Sequence, residues 1–285
     1  MFVDHLVGEA DNLLQFYIKD EGQLSKGRTV MLKHTGVRRV YLHNFRLATL
    51  LSLTAGSVNA AGFLGFSVLT TNVTGHAALF AEKASLGDWR TTSVIAVWMA
   101  LFLAGAISSS LIINLIGKDQ RYSYLIPLLG ELGILIMVAV LGNFYSPGLA
   151  QRQWLAGSLL FAMGMQNALV TVISGSVVRT THLTGTFTDL GIDISDWITG
   201  RFQDAPGLRR RMVLKMTIIL SFITGAVLGG VAFRMLSFYS FYLPAFLLVL
   251  ALLYDLLRVN LKRYYRKIGR SIKKDAPEDL SAGGG

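Results

Sequence analysis

Two polar strings interrupt an otherwise apolar chain: TTNVTGHAALF at residues 70–80 and TTHLTGTFTDL at 180–190. The first places Thr71, Asn72, Thr74, Gly75 and His76 ahead of an apolar run; the second does the same with Thr181, His182, Thr184, Gly185 and Thr188. Both read as helix starts, because Thr and Asn oxygens accept from first-turn amides that have no partner inside the helix. Two chemistries are open to such a start. In one, the side chains satisfy those amides, a pressing need in a bilayer, where an unpaired backbone group costs several kcal/mol. In the other, the amides and the positive end of the helix dipole are offered to a bound solute on which two starts converge.

Further polar residues stand within apolar runs. Asn59, in SVNAAGF, and Gln166 with Asn167, in GMQNALV, are amides that either bond between helices or line a polar cavity facing the two strings. Asp189 and Asp193 are four apart and share one helical face, whereas the first string carries Leu79 and Lys83 at those places. Glu131, in LLGELGIL, is the one acid inside a long apolar run. Acids at membrane depth are costly and face a cavity or a partner, so Glu131, Asp189 and Asp193 are the candidates for proton coupling. Arg179, just before the second string, suits one of those carboxylates or an anionic solute. His76 and His182 read as neutral, hydrogen-bonded histidines or as members of a proton relay. The chain has no cysteine, hence no thiolate metal site, and no His-x-x-x-His or clustered acids. It carries no Walker loop, no Gly-x-Ser-x-Gly and no zinc-protease motif. The reading is therefore no metal, no cofactor and no enzyme.

These residues need elements to position them. The 285 residues are 52% hydrophobic and only 15% charged, where a soluble domain carries about a quarter. Apolar runs at 47–69, 91–117, 122–142, 153–178, 212–236 and 239–257 approach or exceed the roughly 20 residues that cross a bilayer as helix. The expected class is all-α, a polytopic transmembrane bundle. The net charge of +10 is concentrated before the first run, from Lys19 to Arg46, and after the last, from Arg258 to Lys274. That distribution marks the cytoplasmic side rather than a nucleic-acid surface. Both termini are expected inside a bacterial plasma (inner) membrane, with residues 1–46 a cytoplasmic extension, 258–274 a basic juxtamembrane helix against anionic lipids, and 275–285 a disordered tail.

The two strings belong to a longer repetition. Asn59 corresponds to Asn167; the Thr-Thr-x-x-Thr-Gly strings follow; LFLAGAISSS (101–110) matches SFITGAVLGG (221–230); YSYLIP (122–127) matches YSFYLP (239–244). Four collinear matches read as an internal duplication of 47–142 in 153–257, and transporter folds are often built this way, with the site between the repeats. Each repeat holds three full spans and one short element, giving six spans plus two short or broken helices. The short elements number about 15 and 13 residues before Asp88-Trp89 and Asp196-Trp197. At about 1.5 Å per residue that is roughly 20 Å, too little for a hydrocarbon core about 30 Å thick. Either they are half-helices, giving six crossings and oppositely oriented repeats, or they cross with help from the extended TTN and TTH stretches, giving eight crossings and parallel repeats. The small-x-x-x-small pairs Gly105/Ser109 and Gly225/Gly229 predict close helix approach within the bundle, or a contact in a homo-oligomer.

AGSVNAAGF, TTNVTGHAALF, FAMGMQNALV and VRTTHLTGTFTDLG together resemble the YoaK family of bacterial multi-pass membrane proteins, over roughly residues 45–258. The resemblance implies a membrane location and brings no activity with it. The family's first motif carries Asp where this chain has Asn59, and Asn where it has His76, so a role for an acid in the first span does not carry over. The functional expectation is a secondary transporter or channel for a small polar or anionic solute, with a membrane assembly or lipid-binding scaffold as the alternative. A polar cavity between the repeats favours the first, a solid apolar centre the second.

Overall fold

The computed structural model describes residues 37–117, 122–144, 149–173, 182–200 and 207–254. The chain clusters into residues 1–41 and 42–285, and the architecture below is that of the second unit. The expected juxtamembrane helix at 258–274 and tail at 275–285 lie outside the described residues, as do Arg179 and Thr181. The order is α1 (Val37–Phe66), α2 (Val73–Ser85), α3 (Trp89–Ile116), α4 (Tyr122–Phe144), α5 (Leu149–Ile173), α6 (Leu183–Ile198), α7 (Leu208–Leu236), a 3-10 turn (Ser237–Phe241) and α8 (242–254). Among the described residues there is no strand.

Five helical stretches are long and apolar enough to cross a membrane: Phe45–Phe66, Trp89–Ile116, Ser123–Asn143, Ala150–Val172 and Leu208–Tyr254. The last is 47 residues long and is interrupted by the 3-10 turn, where Ser237 takes a left-handed φ of 51°. The short elements are α2, 13 residues, and α6, 16 residues. Their ends differ from the sequence expectation. α2 stops at a turn in which Gly87 adopts φ 73°, and Asp88 then caps α3 by accepting from Thr91 N at 3.1 Å. Hydrogen bonds from Thr91 hold that carboxyl below the usual aspartate range. In the second half no glycine stands between Gly191 and Gly200. α6 therefore runs through Asp196-Trp197 and turns only beyond Ile198, where Gly200 has φ 69°.

α1 and α5 form the centre. About 61% and 72% of their spanning windows are buried, against 17% for α3. Leu103, Ile107, Leu111 and Leu115, one per turn of α3, are exposed, an apolar stripe that in water would be a liability and in a bilayer meets lipid.

Contacts along the helices fix their directions. Arg152 donates to Gly65 O at 3.1 Å, Leu159 lies beside Gly62, and Gln166 donates to Leu51 O at 2.7 Å. As α5 advances α1 recedes, so the two are antiparallel. α7 advances with α1: Phe222 meets Gly56, Gly229 meets Ser57 and Phe233 meets Gly65, and Ser57 Oγ donates to Gly225 O at 2.9 Å. α3 advances with α5, from Trp98 at Gly157 to Gly105 at Phe161. At the crossings the backbones touch. A Cβ on Gly56 would collide with Phe222 O and one on Gly225 with Leu53 O; likewise one on Gly164 would collide with Phe102 O and one on Gly105 with Phe161 O. These are the close approaches that small residues permit between membrane helices.

Candidate functional site

α2 begins inside the bundle because the chain doubles back. After Phe66, Ser67 turns through a left-handed φ of 58°, and the next residues fold down along α1. Thr70 lies against Gly62, where a Cβ would come within 2.6 Å of its Cγ2. Thr71 reaches Asn59, whose Oδ1 accepts from both Thr71 N at 3.2 Å and Thr71 Oγ1 at 3.0 Å. The amide in α1 thus sets the depth at which α2 starts. Asn72 is its N-cap and accepts from Gly75 N at 2.9 Å. The Asn72 carbonyl accepts from His76 N at 3.3 Å and from His76 Nδ1 at 2.8 Å. That ring is buried and meets the edge of Trp98, with centroids 6.0 Å apart. Thr74 is exposed.

The second start follows the same plan with different chemistry. His182 holds the N-cap position of α6, and its Nε2 stands 3.0 Å from Asn167 Nδ2. The amide nitrogen donates, so Nε2 is the unprotonated, accepting nitrogen of the ring. Thr186 takes the place of His76: it is buried, and its Oγ1 donates to His182 O at 2.9 Å. Thr184, Gly185 and Thr188 are exposed, and a Cβ on Gly185 would meet nothing within 4 Å. Among the described residues, the space beside this helix start is open.

Two of the three mid-span amides are thus brought to the string of their own half, Asn59 to Thr71 and Asn167 to His182. The acids are dispersed. Asp193 is buried, and its partner is Lys215, 2.7 Å from Oδ2, with Arg211 at 3.7 Å from Oδ1. Lys215 also donates to the backbone oxygen of Asp189 at 3.0 Å, whereas the Asp189 residue as a whole is exposed. One lysine accordingly ties α6 to α7. Nothing in the spacing of Lys215 points to an acid 22 residues earlier. Glu131 stands apart from both strings: it is buried and neither oxygen has a hydrogen-bond partner. Gln166 is also fully buried, its Nε2 bonded to Leu51 O and its Oε1 unbonded.

Trp98 is the residue that sequence reading passed over. Besides the edge contact to His76, its Nε1 donates to Gln153 O at 3.1 Å. It also lines a notch of about 200 Å³ with Ser93, Val94, Val97, Leu101, Gln153 and Trp154. Its only advance signal was an aromatic ring in the first half of a span. Among the described residues no group of three or more His, Asp or Glu side chains is placed to hold a metal.

A family model described as a protein of unknown function, DUF1275, matches residues 47–254. The name YoaK rests on the motif resemblance alone. No curated protein and no solved structure matches the chain.

Proposed function

This chain belongs to the DUF1275 family, whose function is unknown, and we propose that it is a secondary transporter or channel for a small polar or anionic solute. The solute is held where two short helices, α2 and α6, begin inside the membrane from opposite faces. One observation carries this reading. Under the sequence correspondence, Gly56 pairs with Gly164, Leu53 with Phe161, Phe102 with Phe222, and Gly105 with Gly225. Gly56 touches Phe222 and Gly164 touches Phe102; Gly225 touches Leu53 and Gly105 touches Phe161. Swapping the halves exchanges one set of contacts for the other, as a pseudo-twofold axis would. Because α1 and α5 are antiparallel, that axis lies in the membrane plane, the arrangement of inverted-repeat transporters with discontinuous helices at the repeat interface.

The same reading counts the crossings. The 47-residue stretch from Leu208 to Tyr254 would be about 70 Å long as one helix, more than twice the hydrocarbon thickness of about 30 Å. Folded at the 3-10 turn it makes two crossings, hence six in all, with both termini on the cytoplasmic side of a bacterial inner membrane. α2 and α6 are half-helices that begin inside the membrane and return to the faces where α1 and α5 end, and their first turns offer amides and positive helix ends to the solute. Arg179 adds positive charge before the second start, and the basic segment 258–274 rests on anionic lipid. No catalytic step and no cofactor enter this reading.

A second reading, a lipid-binding or assembly scaffold, is favoured by the notch beside Trp98, which is lined mainly by apolar side chains. Proteoliposomes separate the two. The reconstituted protein is expected to take up at least one member of a panel of small labelled anions and polar solutes, and Gly185→Val to abolish that uptake. Since the added side chain would meet no described atom within 4 Å, the loss would not trace to broken packing among the described residues. Normal uptake by a correctly inserted Gly185→Val protein would move the site elsewhere, and no uptake of any solute by the native protein would favour the scaffold.

A further inference from the structure

Glu131 lies on the inward stripe of α4, between the buried Leu128 and Leu135. The match of YSYLIP with YSFYLP sets it opposite Leu248, which is equally buried. A leucine fills the corresponding place in the other half, so packing does not call for a carboxyl here. Two more buried oxygens without a hydrogen-bond partner lie on the neighbouring helices, each one residue beyond a contact that leads there from α4. Gly130 backs onto Met165, where an added Cβ would come within 3.1 Å of Met165 Cε. The next residue on α5 is Gln166, with its unbonded Oε1. Its Nε2 reaches Leu51 O, and the next residue on α1 is Ser52, buried with an unbonded Oγ. The counterparts of Gln166 and Ser52 are Val58 and Leu160, both fully buried. On one side of the pseudo-repeat only, three polar side chains replace three apolar ones.

Such a set is costly unless something binds to it, because each buried polar atom without a partner gives up its hydration for nothing. Among the described side chains no charged group faces it. The described titratable side chains on the elements around α4 are Arg46 on α1, Arg90 on α3, Arg152 on α5 and Tyr239 on the 3-10 turn. Arg46 is directed to Tyr254, Arg152 to Gly65 O, and Arg90 and Tyr239 are exposed. The ligand must then carry a single positive charge. A metal cation needs several oxygens around it at once, whereas Glu131 has none within hydrogen-bond reach, and a proton needs the carboxyl alone.

The geometry points to Glu131, buried without a hydrogen-bond partner where the other half carries a leucine, as a proton-carrying site. H+ from water on one side bonds to a carboxylate oxygen and forms the neutral acid, and the same O–H bond breaks when the site opens to the other side. This rests on the transport reading and adds the ion that drives it. The full-length protein in lipid can be examined by infrared difference spectroscopy across a pH step, with E131L as the folding-compatible variant, since leucine occupies the corresponding place, and E131Q beside it. The native protein is expected to show a carbonyl band of a buried protonated carboxyl that responds to pH, and both variants to lose it. Proton influx into dye-loaded proteoliposomes under an imposed pH gradient should fall, in both variants, to the level of protein-free liposomes. A band that persists in E131L, or influx in E131L equal to the native protein, would overturn the assignment. Absence of any solute uptake by the native protein, with the Glu131 band still present, would instead count against transport.

Discussion

At the scale of single residues, Asn59 fixes where α2 begins. Its Oδ1 accepts two hydrogen bonds from Thr71, each worth about 0.5–1.5 kcal/mol net. Asn59→Leu should therefore destabilise the protein by about 1–3 kcal/mol and release the 67–72 turn, while Asn59→Asp keeps the accepting oxygens and should stay close to the native protein. Thermal unfolding in detergent compares them, and equal losses for both variants would show that the amide does not hold the turn. The sequence marked Asn59 as a polar residue in a span and Thr71 as part of a helix start. It could not join them, because the reversal at Ser67, a non-glycine residue in a left-handed conformation, leaves no trace in spacing or composition. Asp193 teaches the same lesson: its burial cost was legible, but its partner Lys215 is a matter of how α6 lies on α7.

At the scale of elements, hydropathy located the spans to within a few residues, since any stretch that must fill a bilayer with helix has to be about 20 apolar residues long. The small-x-x-x-small pairs likewise announced close helix contacts. What they could not announce was the choice of partners, α1 with α7 and α3 with α5, because a glycine's lack of side chain does not encode which backbone will fill the gap. That contact can be weighed against a glycine that faces nothing. Gly105→Ala drives a methyl into Phe161 O and should cost about 1–3 kcal/mol or more through overpacking. Gly191→Ala, on α6 with nothing within 4 Å, should stabilise by up to about 1 kcal/mol through helix propensity. Unfolding midpoints of the two variants give the comparison, and a Gly105→Ala protein as stable as the native one would mean that α3 and α5 are not in backbone contact.

At the scale of the whole molecule, the duplication expected from four collinear matches comes with no orientation of its own. The basic flanks before the first run and after the last fit six or eight crossings alike, so charge could not choose between inverted and parallel repeats. The antiparallel course of α1 and α5 supports the inverted one, and with it a site between two helix starts that come from opposite faces. The absence of native cysteine makes the deciding measurement clean. Single cysteines at Leu86, exposed at the end of α2, and at Thr199, exposed at the end of α6, are labelled in intact and in permeabilised cells with a membrane-impermeant maleimide. Inverted halves predict that Leu86→Cys is labelled from outside in intact cells and Thr199→Cys only after permeabilisation. Labelling of both positions from the same side would make the repeats parallel and dissolve the shared site.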